Sequence, residues 1–106
     1  MSRRRTAAAA ILLSLALRLT GCAEDVLVVR GIVVAVQQSS PAQVQGFTLR
    51  SDAGALLVFE IGELESGGGS FPAVHLRDHL ASASPIAVRY VVKGERPIVI
   101  RMTDAP

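Results

Sequence analysis

Cysteine is nearly absent: the 106-residue chain holds one, Cys22. A lone thiol excludes an internal disulfide, so packing alone must hold whatever fold forms. Tryptophan is missing, and the aromatics are three Phe and one Tyr. Sequence-tolerant binding of single-stranded nucleic acid needs exposed aromatics in a basic groove. Phe47, Phe59, Phe71 and Tyr90 are too few, and at least three of them fall on inward-facing positions. No apolar run approaches the roughly 20 residues that a membrane-spanning helix needs. The N-terminal run Ala7–Leu17 (AAAAILLSLAL) is stopped by Arg18.

Catalytic signatures are missing too. Ser39, Ser40, Ser66, Ser70, Ser82 and Ser84 fall in loops or at helix ends, and none sits in a G-x-S-x-G elbow. The glycines at 67–69 have no Lys-Ser/Thr behind them, which excludes a phosphate loop. Glu60, Glu63 and Glu65 read as a solvated acidic stretch. The expectation is a protein that is not an enzyme and carries no cofactor.

Charge is split along the chain. Lys+Arg total 11 and Asp+Glu total 9, yet all nine acids follow Cys22, whereas Arg3, Arg4, Arg5 and Arg18 precede it. From Cys22 onward the balance is 7 − 9 = −2. The apparent basicity belongs to the leader, and the hint of a nucleic-acid partner that a basic protein would carry is discarded.

That leader has the order of a secretory signal: a positive cluster at Arg3–Arg5, the apolar run Ala7–Leu17, then small residues. At its end stand Leu19-Thr20-Gly21-Cys22, which resemble the lipobox of bacterial lipoproteins: an aliphatic residue, a small one, Gly or Ala, then Cys. Arg18 departs from the pattern, since apolar residues are usual just before the box. The resemblance implies cleavage of residues 1–21 and a diacylglycerol, palmitate-like in its chains, on the thiol of Cys22. Acyl chains contribute about 0.8 kcal/mol per buried CH₂, so two or three hold a protein on a membrane. The expected location is the extracytoplasmic face of a bacterial cell membrane. Residues 22–25 then form a tether in which Ala23, Glu24 and Asp25 span roughly 10 Å.

Residues 26–106 are expected to form one small domain. Its Val, Ile and Leu content favours strands. Val26–Val36 reads as a long strand in which Gly31 marks a bulge or bend. A polar loop Gln37–Gln45 follows. Gly46–Arg50 and Leu56–Ile61 form a hairpin about Asp52-Ala53-Gly54, with Phe47, Leu49, Leu57, Phe59 and Ile61 inward and Arg50 and Glu60 outward. Gly62–Ser70 reads as a flexible connection. Pro72–Ala83 reads as a short helix with Leu76 and Leu80 on its buried face. Ile86–Lys93 and Ile98–Thr103 close the chain around a three-residue loop, Gly94-Glu95-Arg96. The expected inward residues there are Ile86, Val88, Tyr90, Val92, Ile98, Ile100 and Met102.

The fold class is therefore mainly β, in the order β-β-β-α-β-β, with the signal helix before it. Five strands with a helix between the third and fourth resemble the OB-fold, a small barrel; an SH3-like barrel or a helix-capped meander is the alternative. OB-folds often bind ligands near the loops after strands 1 and 4, which correspond to Gln37–Gln45 and Gly94–Arg96. Fold alone does not assign function. One exported OB-fold family handles haem through a C-terminal His, and this chain has none beyond His79.

Two sets of side chains remain. His75 and His79 stand at i, i+4, a spacing that can place two imidazoles on one metal. The zincin pattern needs Glu where Leu76 stands, and no third ligand is indicated, so two solvated histidines and no metal are expected. Arg89 and Arg101 fall opposite each other on the outward face of the last hairpin. Together with Arg50, also facing water, they are the candidate face for a carboxylate or phosphate. The reading is a lipid-anchored binding module. Its partners are the membrane, through Cys22, and an envelope protein, glycan or small anionic ligand. The alternatives are a structural envelope protein without a dedicated ligand and a small metal-binding protein.

Overall fold

The computed structural model describes residues 25–106; the leader, the tetrad Leu19–Cys22 and Glu24 lie outside the described residues. Five strands run β1 (Leu27–Ser40), β2 (Gln43–Ser51), β3 (Leu56–Ile61), β4 (Ile86–Lys93) and β5 (Arg96–Asp104). A 3-10 turn, Ala73–His75, leads into one short helix, α1 (Leu76–Ser82), between β3 and β4. The strands close into a barrel in the order β1-β2-β3-β5-β4. All pairings are antiparallel except β3 with β5, which run parallel through Glu60↔Ile98 and Ile61↔Val99. This is the small OB-like barrel that the order of elements implied.

β1 serves both neighbours. It pairs with β4 over Leu27–Gly31 and with β2 from Gly31 onward. Gly31 is the crossing point, opposite both Ser51 and Ile86. The bulge expected there lies a little further on, between Val33 and Ala35. What requires glycine at 31 is close approach: a Cβ would lie 2.3 Å from the carbonyl oxygen of Arg50.

The hairpin Asp52-Ala53-Gly54 forms as expected. Ser51 N–H donates to Ala55 O at 2.8 Å, and Gly54 takes φ +89°. Phe47, Leu49 and Phe59 are buried, and Leu57 and Ile61 pack against them. Phe59 touches Phe47 at 5.3 Å between ring centroids and Tyr90 at 4.9 Å. Leu76 of α1 inserts into the same cluster with Ile86, Val88, Val99 and Met102.

Three expectations are corrected. The loop expected at Gln37–Gln45 is mostly strand: β1 continues to Ser40, β2 begins at Gln43, and only Pro41 and Ala42 turn the chain. Every side chain of this arm is exposed except Val44, which is half-buried against the core, so its polar side chains fit a strand; Ser39 Oγ donates to Gln43 Oε1 at 3.3 Å across it. The last hairpin turns on two residues, not three. Gly94 and Glu95 both take positive φ, +54° and +67°, the backbone of a type I′ turn. Lys93 pairs with Arg96, Tyr90 with Val99 and Arg89 with Arg101, so Ile100 is an extra bulged residue. The bulge restores the expected opposition of the two arginines but shifts the pleat. Val91 and Val99 are buried, Val92 is exposed, and Ile98 and Ile100 are only partly covered.

The third correction concerns the 62–72 connection. It is held along β5: Gly62 N–H donates to Val99 O, Glu65 N–H to Ile100 O, and Phe71 N–H to Met102 O. Ser70 bridges Thr103. The carbonyl of the bulged Ile100 thereby has a partner in Glu65 N–H.

Candidate functional site

The 3-10 turn begins from Pro72 in extended backbone and runs through His75 into α1, which ends at Ala83, whose φ of +56° is left-handed. α1 has room for two turns. Leu76 faces the core, and its companion on that face is His79, 5% exposed. Leu80, expected there, is exposed instead. A buried imidazole is tolerated only if its nitrogens are satisfied, and both are. His79 Nδ1 meets the carbonyl oxygen of Ser84 at 3.0 Å, and Nε2 meets Asp104 Oδ1 at 2.7 Å.

Asp104 is the last residue of β5, and it is the group that was not legible from the sequence. Its pairing with Ile86 brings the end of β5 beside the chain leaving α1. His75 stands one turn earlier, half exposed. Its Nδ1 lies 3.1 Å from Asp78 Oδ2, and its Nε2 lies 3.9 Å from the same Asp104 oxygen. Phe71 lies against both rings, stacked on His79 at 5.0 Å and tilted against His75 at 4.9 Å. The histidines are thus neither both solvated nor without a third group. A cleft of about 330 Å³ opens over them, bounded also by Ser82, Ser84 and Pro85.

The arginines are placed differently. Arg89 and Arg101 do face each other across β4 and β5. Arg101, however, donates from Nη2 to the carbonyl oxygens of Gly67 and Gly68, at 2.8 and 2.7 Å. It fastens the 62–72 connection, which leaves Arg89 as the outward cation of the pair. Arg50 belongs to another wall: it lies opposite Ile32 on β1, whereas Arg89 lies opposite Val28. Four positions along a strand are about 13 Å, so the three arginines do not converge.

A second cleft, of about 310 Å³, lies on the outer face of β2 and β3. Gly46 lines it, and a Cβ there would stand 2.3 Å from the carbonyl oxygen of Phe59; Gln37, Gln45, Thr48 and Val58 surround it. Glu60 closes one end, held bidentate by Arg96, whose Nη2 lies 2.7 Å from Oε2 and whose Nε donates to Oε1 at 3.2 Å. The same ion pair spans the parallel β3–β5 seam. Arg50 sits one outward row away, opposite Leu56.

The chain matches no protein-family model and no curated protein.

Proposed function

We propose that this chain is an exported lipoprotein of the bacterial envelope, anchored through Cys22, whose barrel acts by binding rather than by catalysis. The lipobox-like tetrad supports the anchor. So does the first stretch of the domain: Val26, Leu27 and Val28 are all exposed, Val28 to 66%. Val26 is four positions after Cys22, at most about 14 Å of extended chain. Aliphatic side chains held that close to acyl chains meet the apolar edge of the lipid surface, and Arg89, opposite Val28, meets its headgroups.

The observation that carries the binding reading is the cleft over Gly46. It lies on the β2–β3 face that OB-type barrels commonly use for ligands. Two amides and a hydroxyl offer both donors and acceptors, and Val58 offers a small apolar surface. Among envelope ligands, a glycan rich in hydroxyls and acetamido groups fits this lining better than an anion, because the one charge in the lining is the paired carboxylate of Glu60.

The test is thermal unfolding of the full chain with soluble peptidoglycan fragments. A saturable rise is expected, about 2.7 kcal/mol at 100 times Kd, or roughly 10 °C or more for a domain this small. Val58 is exposed, so Val58→Arg should fold as the parent does, cover the cleft and abolish the rise. An unshifted parent, or an equal shift in the variant, would sink the glycan reading.

A further inference from the structure

The geometry points to a binding site for a divalent first-row transition metal, Zn²⁺ above all, formed by His75, His79 and Asp104. The argument begins with hydrogen-bond accounting. A backbone carbonyl only accepts, so the contact from His79 Nδ1 to Ser84 O places a proton on Nδ1. A neutral imidazole then has a lone pair at Nε2, and that lone pair faces a carboxylate oxygen at 2.7 Å. Two acceptors do not approach so closely unless something electropositive lies between them. At 2.7 Å that is a shared proton, and a metal ion, which sets such atoms about 3.3 Å apart, would take the proton's place.

His75 repeats the arrangement. Its Nδ1 is on an acceptor, Asp78 Oδ2, and its Nε2 points to the same oxygen of Asp104. Metal-binding histidines commonly donate their other N–H to a carbonyl or carboxylate, which fixes the ring and its tautomer. Both partners of that kind are present: Ser84 O for His79 and Asp78 for His75. The three ligand atoms already lie within 4.8 Å of one another. Zn–N and Zn–O distances of about 2.0–2.1 Å in tetrahedral geometry set the ligand atoms about 3.3 Å apart. The His79–Asp104 contact must therefore open slightly and His75 must close slightly. Asp104 is 71% exposed and His75 39% exposed, so both can move while buried His79 stays fixed.

Two imidazoles and one carboxylate leave a fourth position, and it faces the cleft of about 330 Å³. Two nitrogens with one oxygen suit Zn²⁺, Ni²⁺ or Cu²⁺ rather than Mg²⁺ or Ca²⁺, which take oxygen ligands. A bound ion would tie α1 to the end of β5, across the stretch of chain that leads into β4.

The test uses the full chain in detergent, without a polyhistidine tag. It carries Cys22→Ser so that no thiol competes, which also frees the result from the anchor reading. After chelator treatment and desalting, titration with Zn²⁺ should give one ion per chain, and Co²⁺ should show the visible absorption of a tetrahedral site. His75→Ala and Asp104→Asn should each weaken Zn²⁺ binding by on the order of 100-fold or more. Asp78→Asn, which alters only the orienting partner, should weaken it by about 10–100-fold. All three substitutions are at exposed or half-exposed side chains, and circular dichroism checks that each still folds. Failure of the parent to take up stoichiometric Zn²⁺ would overturn the site and leave a proton between His79 and Asp104. Equal uptake by parent, His75→Ala and Asp104→Asn would overturn it as well.

Discussion

Gly31→Val is expected to lower the melting temperature of the barrel by at least roughly 12 °C. Gly31 lies where β1 passes from β4 to β2, hydrogen-bonded on both sides, so neither neighbour can retreat. The Cβ of any other residue would stand 2.3 Å from the Arg50 carbonyl oxygen and 2.9 Å from Ser51 Cα. Both are backbone atoms, which cannot rotate away as a side chain would. Overpacking in closely packed interiors typically costs about 1–3 kcal/mol. A backbone clash in a closed barrel belongs at or beyond the top of that range. Small domains lose about 4–8 °C of Tm per kcal/mol, so a fall of at least roughly 12 °C is expected. Gly69→Ala is the comparison. Nothing lies near its added Cβ, and only its φ of +84° resists. Thermal unfolding of both variants decides the point: Gly31→Val melting within a few degrees of the parent would mean that the crossing is not as tight as described.

Phe59→Ala should be comparably severe for the opposite reason. Phe59 is buried on β3, between Phe47 and Tyr90. Its two ring neighbours are each held in the barrel wall, Phe47 on β2 and Tyr90 on β4, so neither is free to fill the space. Phe→Ala in a core costs about 3–5 kcal/mol, the sum of lost transfer energy and the residual cavity. A domain of this size has a total stability of only about 4–12 kcal/mol. Chemical denaturation should show the midpoint collapsing with little change in slope, and Phe59→Leu should recover most of the loss. A loss below about 1 kcal/mol for Phe59→Ala would show that the three-ring contact is not the centre of the core.

Much of this fold was legible residue by residue. The alternation of Phe47, Leu49, Leu57 and Phe59 about Asp52-Ala53-Gly54 defines one hairpin, because strand period and turn chemistry agree there. Pro72 and the spacing of Leu76 mark the helix for the same reason. The order of elements then suffices for the barrel. What escaped was tertiary in origin. Gln37–Gln45 has the composition of a loop, and only its partner strand makes it an arm of the sheet. The bulge at Ile100 leaves no mark in a run as uniformly β-forming as Ile98–Thr103, yet it exchanges Val99 for Ile98 and Ile100 in the core. At the His cluster, the spacing of His75 and His79 was visible. Asp104 was not, because it lies 25 positions beyond His79 and reaches it only through the closure of β5 on β4. The same holds for Arg101, whose acceptors are carbonyls of a connection that composition marks as free.

The central claim is that Cys22 holds this barrel on a membrane. Its most direct test is the mass of the N-terminal peptide recovered from the membrane fraction of cells expressing the full chain, beside a Cys22→Ser control. The account predicts a peptide that begins at an acylated Cys22 and is absent from the control. An unmodified chain that still begins at Met1 and stays in the cytosol would contradict it, and would return four arginines and a basic net charge to the working protein.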